Sequence, residues 1–236
     1  MPKAERTILS TRPLPATLIL EAAAEGFAVN CLSFIETEAI ADASLMQRVR
    51  FLATEPHSVI FTSMNAVDAV SSWLKDRPQW SVYCIGHSTR ERVEEELQAP
   101  VAGTADDASA LADRIIAAGE QSLLFFCGDQ RRDVLPLKLR EAGITLDELT
   151  VYRTIATPHA LGRDYSAVLF FSPSAVQSYA SANQFSPSTV SFAIGSSTAE
   201  ALLQAGADHI VTAKQPGKET LLRLAIEHFR NFTTTE

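Results

Sequence analysis

The amino-acid sequence predicts an α/β protein with doubly wound parallel sheets. Short hydrophobic runs rich in β-branched and aromatic residues alternate with amphipathic segments from one end of the chain to the other. The runs are nearly continuous and lack an inside/outside alternation, which is typical of parallel strands whose two faces are covered by helices. Repeated alternation of strand and helix is the usual pattern of a doubly wound fold.

The predicted elements follow one another in chain order. The hydrophobic runs predict strands at residues 7–9, 58–61, 82–85, 123–126, 168–171, 192–194 and 209–211. The amphipathic segments predict helices at residues 66–74, 89–97, 108–118, 133–142, 175–182, 198–205 and 219–229.

The sequence also contains an internal repeat. Residues 61–67 (FTSMNAV) align with residues 170–176 (FFSPSAV), and at the same spacing residues 83–89 (YCIGHST) align with residues 192–198 (FAIGSST). A second match, at a slightly different spacing, relates residues 25–37 to residues 142–154. Two copies of one unit are therefore expected. The weaker alternative is that any two strand–turn–helix segments look alike.

Length and charge restrict the class of protein. At about 150 residues per domain, a chain of 236 residues forms one large domain or two modest ones. The net charge of −8 argues against non-specific binding to nucleic acid or to an anionic membrane, so neither is an expected partner. The N-terminal segment fits neither a signal peptide nor a spanning helix, and we therefore expect a cytoplasmic protein.

Metal and nucleotide chemistry are not expected. Cys31, Cys84 and Cys127 are far apart in sequence and are interpreted as core thiols, and the five histidines lack metal-ligand spacing. No G-x-G occurs, and Gly217-Lys218-Glu219 lacks the other residues of a P-loop, so no nucleotide cofactor is predicted. The turn at residues 195–199 lacks the closing glycine of a nucleophile elbow.

Small hydroxyl residues and glycine follow the predicted strands. These turns are residues 10–11, 62–63, 86–89, 127–128, 172–174 and 195–198. In open α/β sheets ligands bind beyond the carboxyl ends of the strands, where the N-termini of helices present free N–H groups. Any single hydroxyl is better interpreted as an ordinary helix N-cap, but the whole set indicates a cleft for a multiply anionic ligand between two similar domains.

The motifs together resemble the uroporphyrinogen-III synthase family over nearly the whole chain. The likeness is carried by residues 61–67, 85–89, 127–135, 150–154, 170–174 and 193–199, in that order and spacing. It implies two flavodoxin-like domains, residues 1–36 with 155–236 and residues 37–154, joined by a two-stranded β ladder with crossing strands near residues 32–37 and 149–157. The active site would lie in the interdomain cleft, and we expect a monomer.

The resemblance implies a reaction as well. The family cyclises the linear tetrapyrrole hydroxymethylbilane with inversion of its last ring through a spiro-pyrrolenine, releasing water, in the biosynthesis of haem and related tetrapyrroles. This is lyase chemistry without a cofactor. The alternative class is a cytosolic two-domain binding protein for a small polyanionic ligand.

The resemblance assigns roles to individual residues. Tyr152 matches the family's tyrosine and would act as a general acid on the departing hydroxyl; the alternative is an interdomain packing aromatic. Arg12 and Arg132 would pair with substrate carboxylates, or else are solvated surface arginines. The full set assigned to substrate binding is Arg12, Thr62, Ser63, Asn65, Gly86, Ser88, Thr89, Gly128, Arg132, Ser172, Ser174, Gly195, Ser197 and Thr198.

Overall fold

The structure is a computed structural model that describes residues 6–131 and 133–231. The strands are β1 (Arg6–Ser10), β2 (Phe27–Cys31), β3 (Ile35–Ala39), β4 (His57–Phe61), β5 (Trp80–Ile85), β6 (Val101–Ala105), β7 (Ser122–Gly128), β8 (Thr145–Ala156), β9 (Ala167–Phe170), β10 (Val190–Ala193) and β11 (Ile210–Thr212). The helices are α1 (Ala16–Ala24), α2 (Ala43–Leu52), α3 (Met64–Trp73), α4 (His87–Arg92), α5 (Ala108–Ala117), α6 (Val134–Glu141), α7 (Pro173–Ala180), α8 (Ser196–Gln204) and α9 (Lys218–Asn231). A π-helical turn, Val93–Leu97, continues α4.

The chain divides into two compact units. Unit 1 comprises Met1–Glu36 and Ile155–Glu236, and unit 2 comprises Thr37–Thr154. One boundary falls inside β3 and the other inside β8. The chain therefore leaves unit 1 and returns to it along these two strands.

Unit 1 contains a five-stranded sheet with the order β11-β10-β9-β1-β2. All the described strand pairs of this sheet are parallel. When its strands are numbered within the unit in chain order, the sheet reads 2-1-3-4-5 from the edge formed by β2. This arrangement confirms the predicted α/β fold with parallel strands.

Unit 2 contains a six-stranded sheet with the order β3-β8-β7-β4-β5-β6. The five strands from β8 to β6 pair in parallel. When β7 and β8 are numbered before β4, β5 and β6, these five strands also read 2-1-3-4-5. The repeated motifs found in the sequence thus follow equivalent strands: β4 and β9 for one motif, β5 and β10 for the other.

The strands and helices predicted from the hydrophobic pattern coincide with observed ones to within about two residues at each end. The crossing strands expected near residues 32–37 and 149–157 correspond to β3, which begins three residues later, and to β8, which begins four residues earlier. Four further elements, β2, β6, α1 and α2, were not predicted. β2 and β6 are edge strands with partly exposed residues, so neither forms a continuous hydrophobic run. α2 buries only Val49, which gives it a weak amphipathic pattern.

The interpretation of all three cysteines as core thiols was wrong for one of them. Cys84 and Cys127 are buried in β5 and β7, as expected, but Cys31 is exposed. Cys31 is the last residue of the edge strand β2 and has no strand on its outer side. The other two cysteines lie in strands with neighbours on both sides.

Each sheet is covered on both faces by a hydrophobic cluster. On one face of unit 2, Phe126 stacks on Phe61 with ring centroids 5.1 Å apart and lies 5.2 Å from the ring of Trp80. All three side chains are almost completely buried. Aromatic contacts of this kind hold strands β4, β5 and β7 together.

Replacing Phe126 by alanine should lower the free energy of unfolding of unit 2 by about 3–5 kcal/mol, because the change removes a buried ring and leaves a cavity. Urea-induced unfolding followed by circular dichroism measures this loss. Phe51, whose side chain is 64% exposed, gives a matched control: Phe51→Ala should change the free energy by less than about 0.5 kcal/mol. Equal losses in the two variants would contradict the assignment of Phe126 to the core.

Candidate functional site

The predicted site residues of unit 2 lie at the carboxyl edge of its sheet. Because β4, β5 and β7 are neighbouring parallel strands, their carboxyl ends meet at one edge. The structure brings together there Thr62, Ser63, Asn65, Gly86, Ser88, Thr89 and Gly128. Arg132, also predicted for this edge, lies outside the described residues.

Two serines in equivalent positions cap the helices that follow β4 and β9. The Oγ atom of Ser63 accepts a hydrogen bond from the Asn65 N–H group at 3.1 Å, and that of Ser172 accepts one from the Ala175 N–H group at 3.2 Å. These two residues are therefore N-caps, as the alternative interpretation expected. A hydroxyl that accepts from the backbone still has its own O–H proton, so each serine can also donate to a carboxylate.

Glycine begins the helices that follow β5 and β10. Gly86 has a φ of +78°, a conformation that favours glycine, whereas Gly195 is extended at −177° and tolerates any residue there. Thr89 and Thr198, in the first turns of α4 and α8, are only 6% and 2% exposed. A ligand at the surface therefore reaches little of these threonine side chains.

Gly128, the last residue of β7, lies beside Tyr152 of the neighbouring strand β8. A Cβ atom added to Gly128 would be 2.5 Å from Cζ and 2.8 Å from the hydroxyl oxygen of Tyr152. Carbon atoms in favourable contact are about 3.5–4.0 Å apart, so any larger residue here would force the phenol ring out of its present position. The structure therefore gives Gly128 a role that the sequence did not suggest, which is to leave space for the side chain of Tyr152.

Hydrogen bonds from Asp129 fix the backbone around Tyr152. The Asp129 N–H group donates to the Tyr152 carbonyl at 3.2 Å, and the Asp129 carboxylate accepts from the Thr154 N–H group at 3.0 Å. The Tyr152 side chain is half-buried against the cluster that contains Phe126. Its hydroxyl forms no hydrogen bond with any other residue in the described part of the chain, which leaves it available to a ligand.

Ion pairs hold the turn that follows β7. Arg131 pairs with Asp133 and with Glu148 of β8, and Glu148 also pairs with Arg140. Burial raises the pKa of the Cys127 thiol, and the nearby Arg131 guanidinium partly opposes that rise. Because its two carboxylate partners belong to this turn and to β8, Arg131 stabilises the turn.

Unit 1 presents its own candidate residues at the carboxyl edge of its sheet. Beside Ser172, these are Arg12, Ser174, Gly195, Ser197 and Thr198. The hydroxyl groups before Arg12 are engaged internally: Ser10 donates to the Arg12 carbonyl at 2.6 Å, and the buried Thr11 donates to the Leu169 carbonyl at 2.8 Å.

Arg12 itself projects from the end of β1. Its guanidinium carbon is 5.7 Å from the centroid of the Phe171 ring, which is within range of a cation–π contact. The residue is exposed, yet neighbouring protein atoms desolvate the guanidinium and lower its pKa. Within the described ranges, no carboxylate forms an ion pair with Arg12.

A cavity of about 370 Å³ lies at the opposite edge of the unit 2 sheet, near the starts of β4 and β5. Arg50, Lys75 and Arg77 line it, beside the C-terminal ends of α2 and α3. The Nε–H group of Arg50 donates to the Trp73 carbonyl at 2.7 Å. Cations stabilise the negative C-terminal ends of helices, and this explains the basic lining without a ligand.

The described residues offer neither a metal cluster nor a spanning helix. No group of three or more His, Cys, Asp or Glu side chains among residues 6–131 and 133–231 is placed to hold a metal ion. None of the helices in those ranges combines the length and the apolar character needed to cross a bilayer.

These features define a class of protein: a repeated parallel α/β protein with hydroxyl- and glycine-rich turns at the carboxyl ends of its strands, the edge where such folds bind ligands. The family described as uroporphyrinogen-III synthase HemD matches residues 17–223. Because this match covers most of the chain, the chain belongs to the uroporphyrinogen-III synthase family, whose enzymes act in tetrapyrrole synthesis.

Solved structures show the same fold. Uroporphyrinogen-III synthetase from Helicobacter pylori is 19% identical with a TM-score of 0.69, and the alignment covers 94% of this chain and 99% of that one. A mutant uroporphyrinogen III synthase from the extremely thermophilic bacterium Thermus thermophilus is 17% identical with a TM-score of 0.61, covering 98% and 100% of the two chains. At these identities the likeness concerns the fold.

The contact between Gly128 and Tyr152 leads to a double-mutant prediction. Gly128→Ala should lower the free energy of unfolding by about 1–3 kcal/mol, because the added methyl group overlaps the phenol ring. In a Tyr152→Ala background most of this loss should disappear, since the overlapping ring is gone. Urea unfolding of the four proteins measures the coupling.

Gly162, which has open space around it, provides the matched control, and Gly162→Ala should show no coupling to Tyr152. If Gly128→Ala lowers the free energy of unfolding equally with and without the Tyr152 ring, Gly128 does not make space for this side chain.

Proposed function

We propose that the chain closes hydroxymethylbilane to uroporphyrinogen III, inverting the last ring and releasing water. The reaction needs no cofactor and makes the enzyme a lyase. The observation that carries this proposal is the family match over residues 17–223. The two copies of a hydroxyl- and glycine-rich turn support it, because a flexible polycarboxylate needs many donors spread over a wide surface.

We also propose that residues 1–36 with 155–236 and residues 37–154 form two flavodoxin-like domains, with β3 and β8 as the connecting ladder. The strand order 2-1-3-4-5, seen in unit 1 and among the five parallel strands of unit 2, is the flavodoxin-like order and supports this assignment. The family resemblance further implies that substrate binds in a cleft between the domains.

The proposed reaction begins at the hydroxymethyl group of the bilane. Its C–O bond breaks with proton donation, water leaves, and the electron pair of the pyrrole nitrogen forms an electrophilic azafulvene. The substituted carbon of the last ring attacks this centre to give a spiro-pyrrolenine. The spiro intermediate then fragments at the bond between the last ring and its neighbour and recloses with that ring inverted, after which a ring proton is lost.

Tyr152 is the proposed general acid for the departure of water. Its hydroxyl is free of hydrogen bonds to the described residues, and its ring is held against Gly128. A phenol at this position donates a hydrogen bond or a proton to the leaving oxygen. The backbone bonds from Asp129 support this role because they hold the residue in one place.

The remaining predicted residues are proposed to orient the substrate. The O–H groups of Ser63 and Ser172 and the guanidinium of Arg12 would bind acetate and propionate groups. Thr62, Asn65, Gly86, Ser88, Thr89, Gly128, Ser174, Gly195, Ser197 and Thr198 would contribute backbone or side-chain contacts, and Arg132 keeps its predicted carboxylate role. Because the bilane also closes unaided to the type I isomer, orientation decides which product forms.

The alternative proposal is a cytosolic two-domain binding protein for a small polyanion. It would use the same donors, so geometry does not separate the two proposals, but only the enzyme turns substrate over. For either function we expect a cytoplasmic monomer that binds neither nucleic acid nor membrane.

Purified protein supplied with freshly prepared hydroxymethylbilane should convert it mainly to the type III isomer. The reason is that the protein would hold the bilane in a conformation that favours attack by the substituted carbon of the last ring. Chromatographic separation of the oxidised isomers measures the ratio. Heat-denatured protein is the control and should leave the spontaneous type I isomer. Type I alone from native protein would overturn the assignment.

Tyr152→Phe should lower kcat by about 100-fold or more, because the variant keeps the ring but cannot donate a proton. Initial rates of type III formation measure the effect, and urea unfolding checks that stability is retained. Tyr165→Phe is the control, since Tyr165 lies beneath Arg163 in unit 1, and its kcat should be unchanged. An undiminished rate in Tyr152→Phe would remove the general-acid role.

A further inference from the structure

Arg12 and Lys218 are two cations of unit 1 for which the described residues offer no carboxylate partner. Arg12 follows β1, and Lys218 is the first residue of α9 and is half-buried. Leu14 and Leu221, which are close to them in sequence, belong to the same buried hydrophobic cluster, so tertiary packing brings the two segments together. Burial lowers the pKa of Lys218, and the positive charge of Arg12 lowers it further. Among the described residues, the acidic group that acts on Lys218 is the Cys31 thiol, and no carboxylate pairs with either cation.

This placement of Lys218 is unfavourable for the isolated protein. The like charge of Arg12 repels it, and the positive end of the α9 dipole opposes a cation at the start of the helix. Partial burial adds a loss of hydration. The repulsion by Arg12, the helix dipole and the partial burial each disfavour the charged form of Lys218. The described residues offer no carboxylate that would compensate.

Other cations of the same unit show that acidic partners are available. Arg223, later in α9, pairs with both Glu21 and Glu219. Arg230 pairs with Glu25. In a chain of net charge −8, the missing carboxylate at Lys218 is therefore a local property of this position.

We propose that Arg12 and Lys218 form a two-cation subsite that binds one carboxylate of the substrate. The subsite lies where ligands of parallel sheets bind, because Arg12 follows β1 and contacts Phe171, which follows the adjacent strand β9. The Phe171 ring orients the guanidinium for bidentate contact, and the Lys218 ammonium adds a point charge. A bound carboxylate is attracted to both cations, and it also offsets the repulsion between them. Both effects favour its binding.

This inference rests on the proposed function for the identity of the carboxylate and adds a residue, Lys218, to substrate binding. The carboxylate that Lys218 would bind takes no part in the bonds made and broken during the reaction. We therefore expect it to affect binding of the ground state and transition state alike, which changes KM and leaves kcat almost unaltered.

The test compares full-length variants that change one positive charge. Lys218→Ala should raise KM for hydroxymethylbilane about tenfold, with kcat within about twofold of wild type. Lys218→Arg, which keeps the charge, should stay within about threefold of the wild-type KM. Lys75→Ala is the matched control, because it removes an equal charge from the exposed loop after α3. Increasing salt should raise KM less steeply in Lys218→Ala than in Lys75→Ala.

A binding measurement separates this inference from the proposed function. Uroporphyrin III, the stable oxidised form of the product, should bind Lys218→Ala about tenfold more weakly than wild type, as measured by fluorescence titration. If wild type binds this probe through Lys218 but forms no type III isomer, the subsite stands and the proposed enzyme activity fails. If wild type forms type III and Lys218→Ala matches Lys75→Ala in both KM and probe affinity, the subsite is overturned.

Lys218→Gln is measured beside Lys218→Ala and keeps the test decisive if the alanine variant unfolds. It retains a polar side chain of similar length and should show the same rise in KM. A wild-type KM in folded Lys218→Gln would contradict the subsite.

Discussion

Parallel strand pairing is the constraint on which the rest of each unit depends. A parallel strand cannot connect to its neighbour by a tight turn, so most connections cross over through a helix that covers one face of the sheet. Every such crossover sends the chain out of the carboxyl edge and into the N-terminus of a helix. The serine caps after β4 and β9 and the glycine turns after β5 and β10 are consequences of this geometry. The candidate site lies at this edge because the turns are gathered there.

This constraint also explains how much of the fold the sequence revealed. Strands such as β4, β7 and β9 are buried on both faces, so they read as unbroken hydrophobic runs, and helices with a full apolar face were recognisable between them. Edge strands such as β2 and β6 have exposed residues and lose that pattern. The repeat was visible because equivalent turns carry the same small residues in both copies, whereas the strand order of unit 2 depends on long-range pairing that no local pattern records.

The candidate site was predictable at the level of turns and not at the level of contacts. Ser63 and Gly86 could be chosen because caps and turns select residue types. The contact between Gly128 and Tyr152 connects β7 with β8, and the ion pair between Arg131 and Glu148 connects the turn after β7 with β8. Lys218 was considered in the sequence only as part of an incomplete P-loop, and its proximity to Arg12 arises from tertiary packing. Such relations appear only when the strands are side by side.

The strand orders show how the two copies of the repeat are connected. In chain order the first copy supplies β1, β2, β4, β5 and β6, and the second supplies β7 to β11, yet each sheet takes strands from both. The molecule is thus a tandem duplication whose halves are exchanged, the covalent counterpart of a domain-swapped dimer. Proteolysis between the copies would leave two fragments, each holding part of both sheets and neither able to complete a sheet without the other.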